Sequence, residues 1–467
     1  MDASLQYKPE SAWKLYSTEQ TQQDMRAVTD RYIDFLSTCK TEREVIKYVE
    51  EKLRAAGYGD DASQGMVVRP FRNKALFAAK RGDQPLESGL SLIAAHTDSP
   101  RLDFKQKPLI EQADVLQGQT HYYGGIKKYQ WFSRPLALHG EIICQNGTHV
   151  KLVVGEQATD PVFCIADLLP HLGHQQLEKT VQDAFEAEKM KIVLGHKLPP
   201  EINDKAKEDN DANKKEASDL IKNAILDYLH TQFAIVEEDL ITAEIEVVPA
   251  GAARYVGFDR AIVGGYGQDD RICVFTALEA LLASANDGRS KAVMFWDKEE
   301  IGSQGATGAS ARFLQYCVED LARAWAPTTP ASHVLLNTQA ISADVTAALD
   351  PDYQDLHEKQ NAARLGFGPC FSKFTGSKGK FGASEADAEY FAQVLQSLRR
   401  QQVPWQVAEL GKVDTGGGGT VALFMASWGM RVIDLGPALL AMHSPFELAS
   451  CADIYATYKA YTAFLNN

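Results

Sequence analysis

The residues able to do chemistry in this chain stand where apolar runs stop. The clearest case is Met294-Phe-Trp-Asp-Lys-Glu-Glu-Ile-Gly-Ser303, in which the apolar run 292–296 gives way at once to Asp297, Lys298, Glu299 and Glu300 and then to a Gly-Ser turn. A buried parallel strand whose carboxyl end opens into a site has this pattern. Two adjacent carboxylates at such an edge are unfavourable unless cations neutralise them. Taken alone, the pair also reads as a solvated acidic turn.

Other run ends repeat the pattern. The run 90–95 is followed directly by His96-Thr-Asp98-Ser-Pro100, and the proline cannot continue a strand ladder. A neutral imidazole at that edge can bind a metal, and Asp98 can orient it from behind. A glycine-rich loop, Val263-Gly-Gly-Tyr-Gly-Gln, delivers Asp269 and Asp270 to the start of a helical pattern, which suits either a fixed ligand or an ordinary cap. Asp344 and His443 follow two further expected strands. His96, Asp269, Glu300, Asp344 and His443 thus form a set of two histidines and three carboxylates without thiolate, which suits Zn²⁺, Mn²⁺ or Co²⁺. Two ions about 3.5–4 Å apart need one carboxylate that bridges them. Glu299 remains as the general base.

These groups need a scaffold, and the composition supplies one. With 467 residues, 45% apolar and 24% charged, the chain is long enough for two or more domains and a large core. Its net charge of −14 argues against nucleic-acid and anionic-membrane partners. The seven cysteines are scattered without CxxC spacing, as expected of reduced thiols in a cytoplasmic protein. No run approaches the ~20 apolar residues of a membrane span, and the first residues lack signal-peptide character.

Periodicity predicts helices at 22–37 and 41–55 as plain scaffold, and a strand or two within 67–80. From 105 to 248 the texture changes to short β-type runs, among them Tyr122-Tyr123, Trp131-Phe132, 136–144 and 148–154. This region is expected to be an inserted β-rich domain, and its mixed-charge stretch 204–219 a solvated loop or exposed helix. Beyond it the spacing predicts strands at 243–249, 291–296, 333–337, 405–410 and 431–436. Helices are expected at 272–285, 310–325, 385–401, 421–427 and 446–464. The glycine run 416–419 lacks a following Gly-Lys-Ser/Thr, so it is no P-loop. The expected fold is α/β. A doubly wound, mostly parallel sheet makes a catalytic domain of residues 1–104 and 249–467, interrupted by the insertion 105–248.

In order and content, the motifs His96-Thr-Asp-Ser-Pro100, Asp269-Asp270, Asp297-Lys-Glu-Glu-Ile-Gly-Ser303, Ser342-Ala-Asp344 and Met442-His443-Ser444 resemble the aspartyl aminopeptidase family of dinuclear zinc aminopeptidases. The resemblance spans essentially the whole chain, insertion included. It implies that His96 and Asp344 bind one metal and Glu300 and His443 the other, with Asp269 bridging. Glu299 would be the base, and Asp98 would hold the ligands in place. It implies that the insertion is a dimerisation domain and that the protein is a cytoplasmic homo-oligomer, a dodecamer built from dimers. Peptides would be the substrates, with a preference for N-terminal Asp or Glu. Lys373 resembles the family's substrate-binding lysine. Lys191 stands where a neighbouring subunit would supply a histidine, while Lys378 and Lys380 read as solvated. Two histidines of the family's Asp-x-x-His-x-x-His arrangement are Ala347 and Asp350 here, which weakens the case for acidic specificity. A carrier particle without catalysis is a competing reading, disfavoured by the complete set of ligands and base. A related carboxypeptidase or deacylase is another, separable by assays on free and blocked N-termini.

Overall fold

The computed structural model describes residues 5–198, 219–382 and 384–467. Four of the apolar runs lie side by side and parallel: Ser290–Trp296, Leu90–His96, Gln339–Ser342 and Arg431–Gly436. Trp296 is level with His96, and Ser342 with both Ala94 and Asp434, so the strands end near one another. The hairpin Met66–Phe71 and Ala75–Lys80 extends the sheet on one side, and Cys370–Ser372 and Gln406–Val407 extend it on the other, giving eight strands. Side chains alternate between two apolar layers, as the strand period requires. Ile93, Val293 and Ile341 join the layer that holds Tyr32, Val49, Phe275 and Tyr461. Leu92, Ala292 and Ala340 join the layer that holds Leu321, Leu335 and Met425. Every residue of Leu90–His96 and Ser290–Trp296 is buried, which explains why these strands read as unbroken apolar runs rather than as alternation.

A second sheet, of five strands, carries the loops of the site. Its order is Arg254–Val256, Ile262–Gly265, Glu447–Ser450, Ala438–Leu440 and Thr346–Ala347. Asp269 follows the second of these, His443 sits between the third and fourth, and Asp344 precedes the fifth.

Chain contacts separate two compact units. One comprises residues up to Ser99 with Ala252–Asn467; the other is Pro100–Gly251, slightly wider than the expected 105–248. The second unit is built on a six-stranded antiparallel sheet. Its long strand Arg101–Gln112 begins immediately after Pro100, which is why the boundary falls earlier than its composition suggests. The charged stretch 204–219 lies, Asp219 apart, outside the described residues.

Several elements differ from expectation. Residues 333–337 are not a strand but the end of the helix Ala331–Asn337, and the strand follows at Gln339–Ser342. A five-residue apolar run fits either state, and pairing with Ser91–Ala94 decides where the strand lies. The last helix is Cys451–Leu465, because Glu447–Ser450 pairs with Ile262–Gly265 instead of joining it. The strand expected at 405–410 shrinks to Gln406–Val407. Trp131-Phe132 forms no strand either: Trp131 ends a short 3-10 turn and is fully buried.

Candidate metal centre

The carboxyl ends of the parallel strands converge as expected. His96 closes its strand and is 1% exposed. Its Nδ1 lies 3.0 Å from the Asp98 carbonyl oxygen, which leaves Nε2 facing the centre. That Nε2 is 3.3 Å from Asp269 Oδ1, while the other Asp269 oxygen, Oδ2, is 3.1 Å from His443 Nε2. The two oxygens of one buried carboxylate therefore address two different histidines. Glu300 Oε1 lies 3.4 Å from His443 Nε2, and Glu299 Oε2 lies 4.0 Å from His96 Nε2.

Asp269 is not an N-cap. The helix Gln268–Ala283 has non-helical backbone at Asp269 and Asp270, so regular helix begins only after them, and Asp269 is turned into the centre. The preceding Gly267 has φ +74, and a Cβ there would run into the Arg271 guanidinium. Asp98 is fully buried, and its two oxygens accept the backbone N–H groups of Glu299 and Glu300 at 3.1 and 3.2 Å. That fixes the turn after Trp296, where Lys298 adopts φ +70. Asp297 holds the same turn from the other side, accepting from Lys298 and from the Thr307 hydroxyl, both at 2.7 Å.

The donor atoms fall into three groups whose members lie within 4.8 Å of one another: His96, Glu299 and Glu300; His96, Asp270 and Asp344; and Asp269, Glu300 and His443. Asp270 is the one member not foreseen. It is fully buried, and its Oδ2 accepts the His96 backbone N–H at 3.4 Å. Among the described residues, no hydrogen bond reaches the buried Asp269 Oδ1 and Glu300 Oε1. Burial pushes Glu300, Asp270 and Asp344 well above the usual carboxylate range, and pushes Glu299 up to about 6. Burial also opposes charge on Asp269, His96 and His443. Their mutual contacts prevail, holding Asp269 below its usual value and raising both histidines, His443 to about 10. Crowded, partly orphaned carboxylates with two imidazoles fit divalent cations.

The centre lines a cavity of about 570 Å³. Lys373 is not among the lining residues, although its neighbours Ser372 and Phe374 are; it follows the strand Cys370–Ser372 and lies 3.9 Å from Glu385. Three other lysines line the cavity, Lys378, Lys380 and Lys412. Lys380 is engaged with Glu385 at 3.0 Å, whereas Lys378 and Lys412 have no carboxylate partner among the described residues. Lys191 belongs to the second unit, where it opens the strand Lys191–Gly195.

An α/β sheet with histidines and carboxylates gathered beyond its parallel strand ends defines a metal-dependent hydrolase. Residues 35–465 match the family described as aminopeptidase I zinc metalloprotease (M18), and the chain belongs to that family. It is an aminopeptidase and a zinc-dependent hydrolase. A probable M18 family aminopeptidase 1 from Clostridium acetobutylicum is 43% identical, over 100% of this chain and 99% of its own length. The crystal structure of an M18 aminopeptidase from Thermotoga maritima superposes with a TM-score of 0.91 at 40% identity, covering 99% of this chain and 100% of the other. The mApe1 dodecamer of S. cerevisiae has the same fold, with a TM-score of 0.74 at 21% identity over 95% of this chain and 97% of its own.

Proposed function

We propose that the protein releases N-terminal residues from peptides with two divalent ions per chain, most simply Zn²⁺, held by His96, Asp344, Glu300 and His443 and bridged by Asp269. The observation that carries this reading is the Asp269 carboxylate, with one oxygen toward His96 and the other toward His443. Bound ions supply Lewis acidity to the scissile carbonyl and to the attacking water. Glu299 takes the proton of that water and returns it to the leaving amine. Its neighbourhood suits the task, because a carboxyl raised toward neutrality both accepts and gives up a proton readily. Asp98 keeps Glu299 and Glu300 aimed by holding their backbone.

On this reading the fold is a doubly wound catalytic domain interrupted by a dimerisation domain. Acidic N-terminal residues are accepted alongside neutral ones. Lys378 and Lys412 replace Lys373 as the cations on this chain, and Lys191 of a neighbouring protomer is a further one. Lysine acts as a point charge, so it sorts Asp from Glu weakly. The test is a set of anilides and peptides with free and blocked N-termini, assayed with Zn²⁺, Mn²⁺ and Co²⁺ and after chelation. Free-amine substrates should be cleaved only with metal present; equal cleavage of blocked substrates contradicts the proposal.

A further inference from the structure

We infer that Glu447 is a positioning residue that fastens the His443–Asp269 side of the centre, an inference that rests on the two-ion reading above. Glu447 is 1% exposed and opens the strand Glu447–Ser450, four residues beyond His443. Its two oxygens serve two loops. Oε1 accepts the His443 backbone N–H at 2.8 Å. Oε2 accepts those of Gln268 at 2.6 Å and Asp269 at 3.3 Å. The Glu447 carbonyl also accepts from Gln268 Nε2 at 2.6 Å. Asp269 and Glu447 are 178 residues apart in the chain; the pairing of Gly265 with Glu447 brings their loops together, and the Glu447 carboxylate ties the backbones beyond it.

The His443 backbone has φ +63, in the left-handed region that non-glycine residues enter infrequently. The Glu447 carboxylate holds that backbone while holding the Asp269 peptide in register with it. The device repeats what Asp98 does for Glu299 and Glu300. Glu300 and His443, which face one another, are therefore each tied through backbone N–H groups to a buried carboxylate. Only a carboxylate can do this, because it accepts at both oxygens and donates at neither. A glutamine at 447 keeps one acceptor and turns an NH₂ toward the other loop, leaving a buried N–H without a partner.

The experiment is a Zn²⁺ titration of chelator-stripped wild type, Glu447→Gln and Glu447→Asp against a competing chromophoric chelator, with thermal unfolding of the metal-free proteins alongside. Glu447→Gln should weaken Zn²⁺ binding about 10–100-fold, the range for partners that orient metal ligands. It should regain kcat at high Zn²⁺ with the peptide KM unchanged. In a His443→Ala background the same substitution should cost no more than about threefold further, because coupled residues do not add. Unchanged Zn²⁺ affinity with only a lower metal-free Tm would overturn the inference, as would failure of both Glu447 variants to fold. A wild type that binds a single ion would overturn the two-ion reading instead, and the His443→Ala cycle on that ion would still decide the role of Glu447.

Discussion

At the residue scale, Glu299 and Glu300 are chemically alike and adjacent, yet their surroundings separate them. Glu300 Oε1 faces His443 at 3.4 Å, while Glu299 reaches only to 4.0 Å from His96. On the proposed reading Glu300 is the metal ligand and Glu299 is left for proton transfer. Glu299→Gln should therefore retain both ions and lose about 10²–10⁴-fold or more in kcat. Near-wild-type kcat in a metal-replete variant would refute the assignment. Burial pushes the Glu299 carboxyl up to about 6, with His96 opposing and Asp269 adding to the rise. A base works only when ionised, so kcat/KM should fall as pH drops through about 6, and bound dications, which favour the carboxylate, move that limb lower. An acid limb centred above pH 7 would mean another group controls it. The residues that sequence could offer here were those at run ends: His96, Asp98, Asp269, Glu299, Glu300, Asp344 and His443 all come to one place. Asp270 and Glu447 were not legible, because their roles depend on backbone N–H groups brought to them from other elements. Lys373 lies beside Glu385 while its neighbours Ser372 and Phe374 line the cavity, a placement that residue type alone does not give.

At the scale of elements, the centre depends on strands that end level and on loops that pass close to one another. Gly436 ends the strand Arg431–Gly436 against the Asp344 backbone, and a Cβ there would stand 2.0 Å from the Asp344 carbonyl oxygen. Backbone cannot yield as a side chain does. Gly436→Ala should lower stability by about 1–3 kcal/mol and weaken metal binding through the displaced Asp344. Thermal unfolding and metal titration check this, and an unchanged Tm would show that the loop yields freely. Three of the four buried parallel strands were legible because both faces are apolar and their ends are polar; Gln339–Ser342, with only two apolar residues, was not. The second sheet was not: Arg254–Val256, Thr346–Ala347 and Glu447–Ser450 are two to four residues long and exist through long-range pairing. The helix Ala331–Asn337 reads as a strand in the sequence for a related reason, since a short apolar run has no period to separate the two states.

At the scale of the whole molecule, association is argued from apolar surface. Trp131 is buried within its own unit and Tyr123 lies against Arg101 at 4.0 Å, whereas Tyr122 stays exposed. Among the exposed apolar residues of that unit are Leu168, Leu169, Leu172, Leu177 and Val181, close together in the chain. Apolar residues exposed this closely together call for a partner. Light scattering should give a large homo-oligomer, and replacing Leu172 and Leu177 together by Asp should shrink it. A stable wild-type monomer at micromolar concentration would contradict this. No described helix is long and apolar enough to cross a membrane.

In the proposed centre Asp269 is a carboxylate shared by two ions, and counting metal tests that role most directly. Chelator-stripped protein reloaded with excess Zn²⁺, desalted and analysed for metal per chain should hold two ions as wild type and one or none as Asp269→Ala. Two ions retained by a folded Asp269→Ala protein, or a single ion in wild type, would contradict the bridged centre.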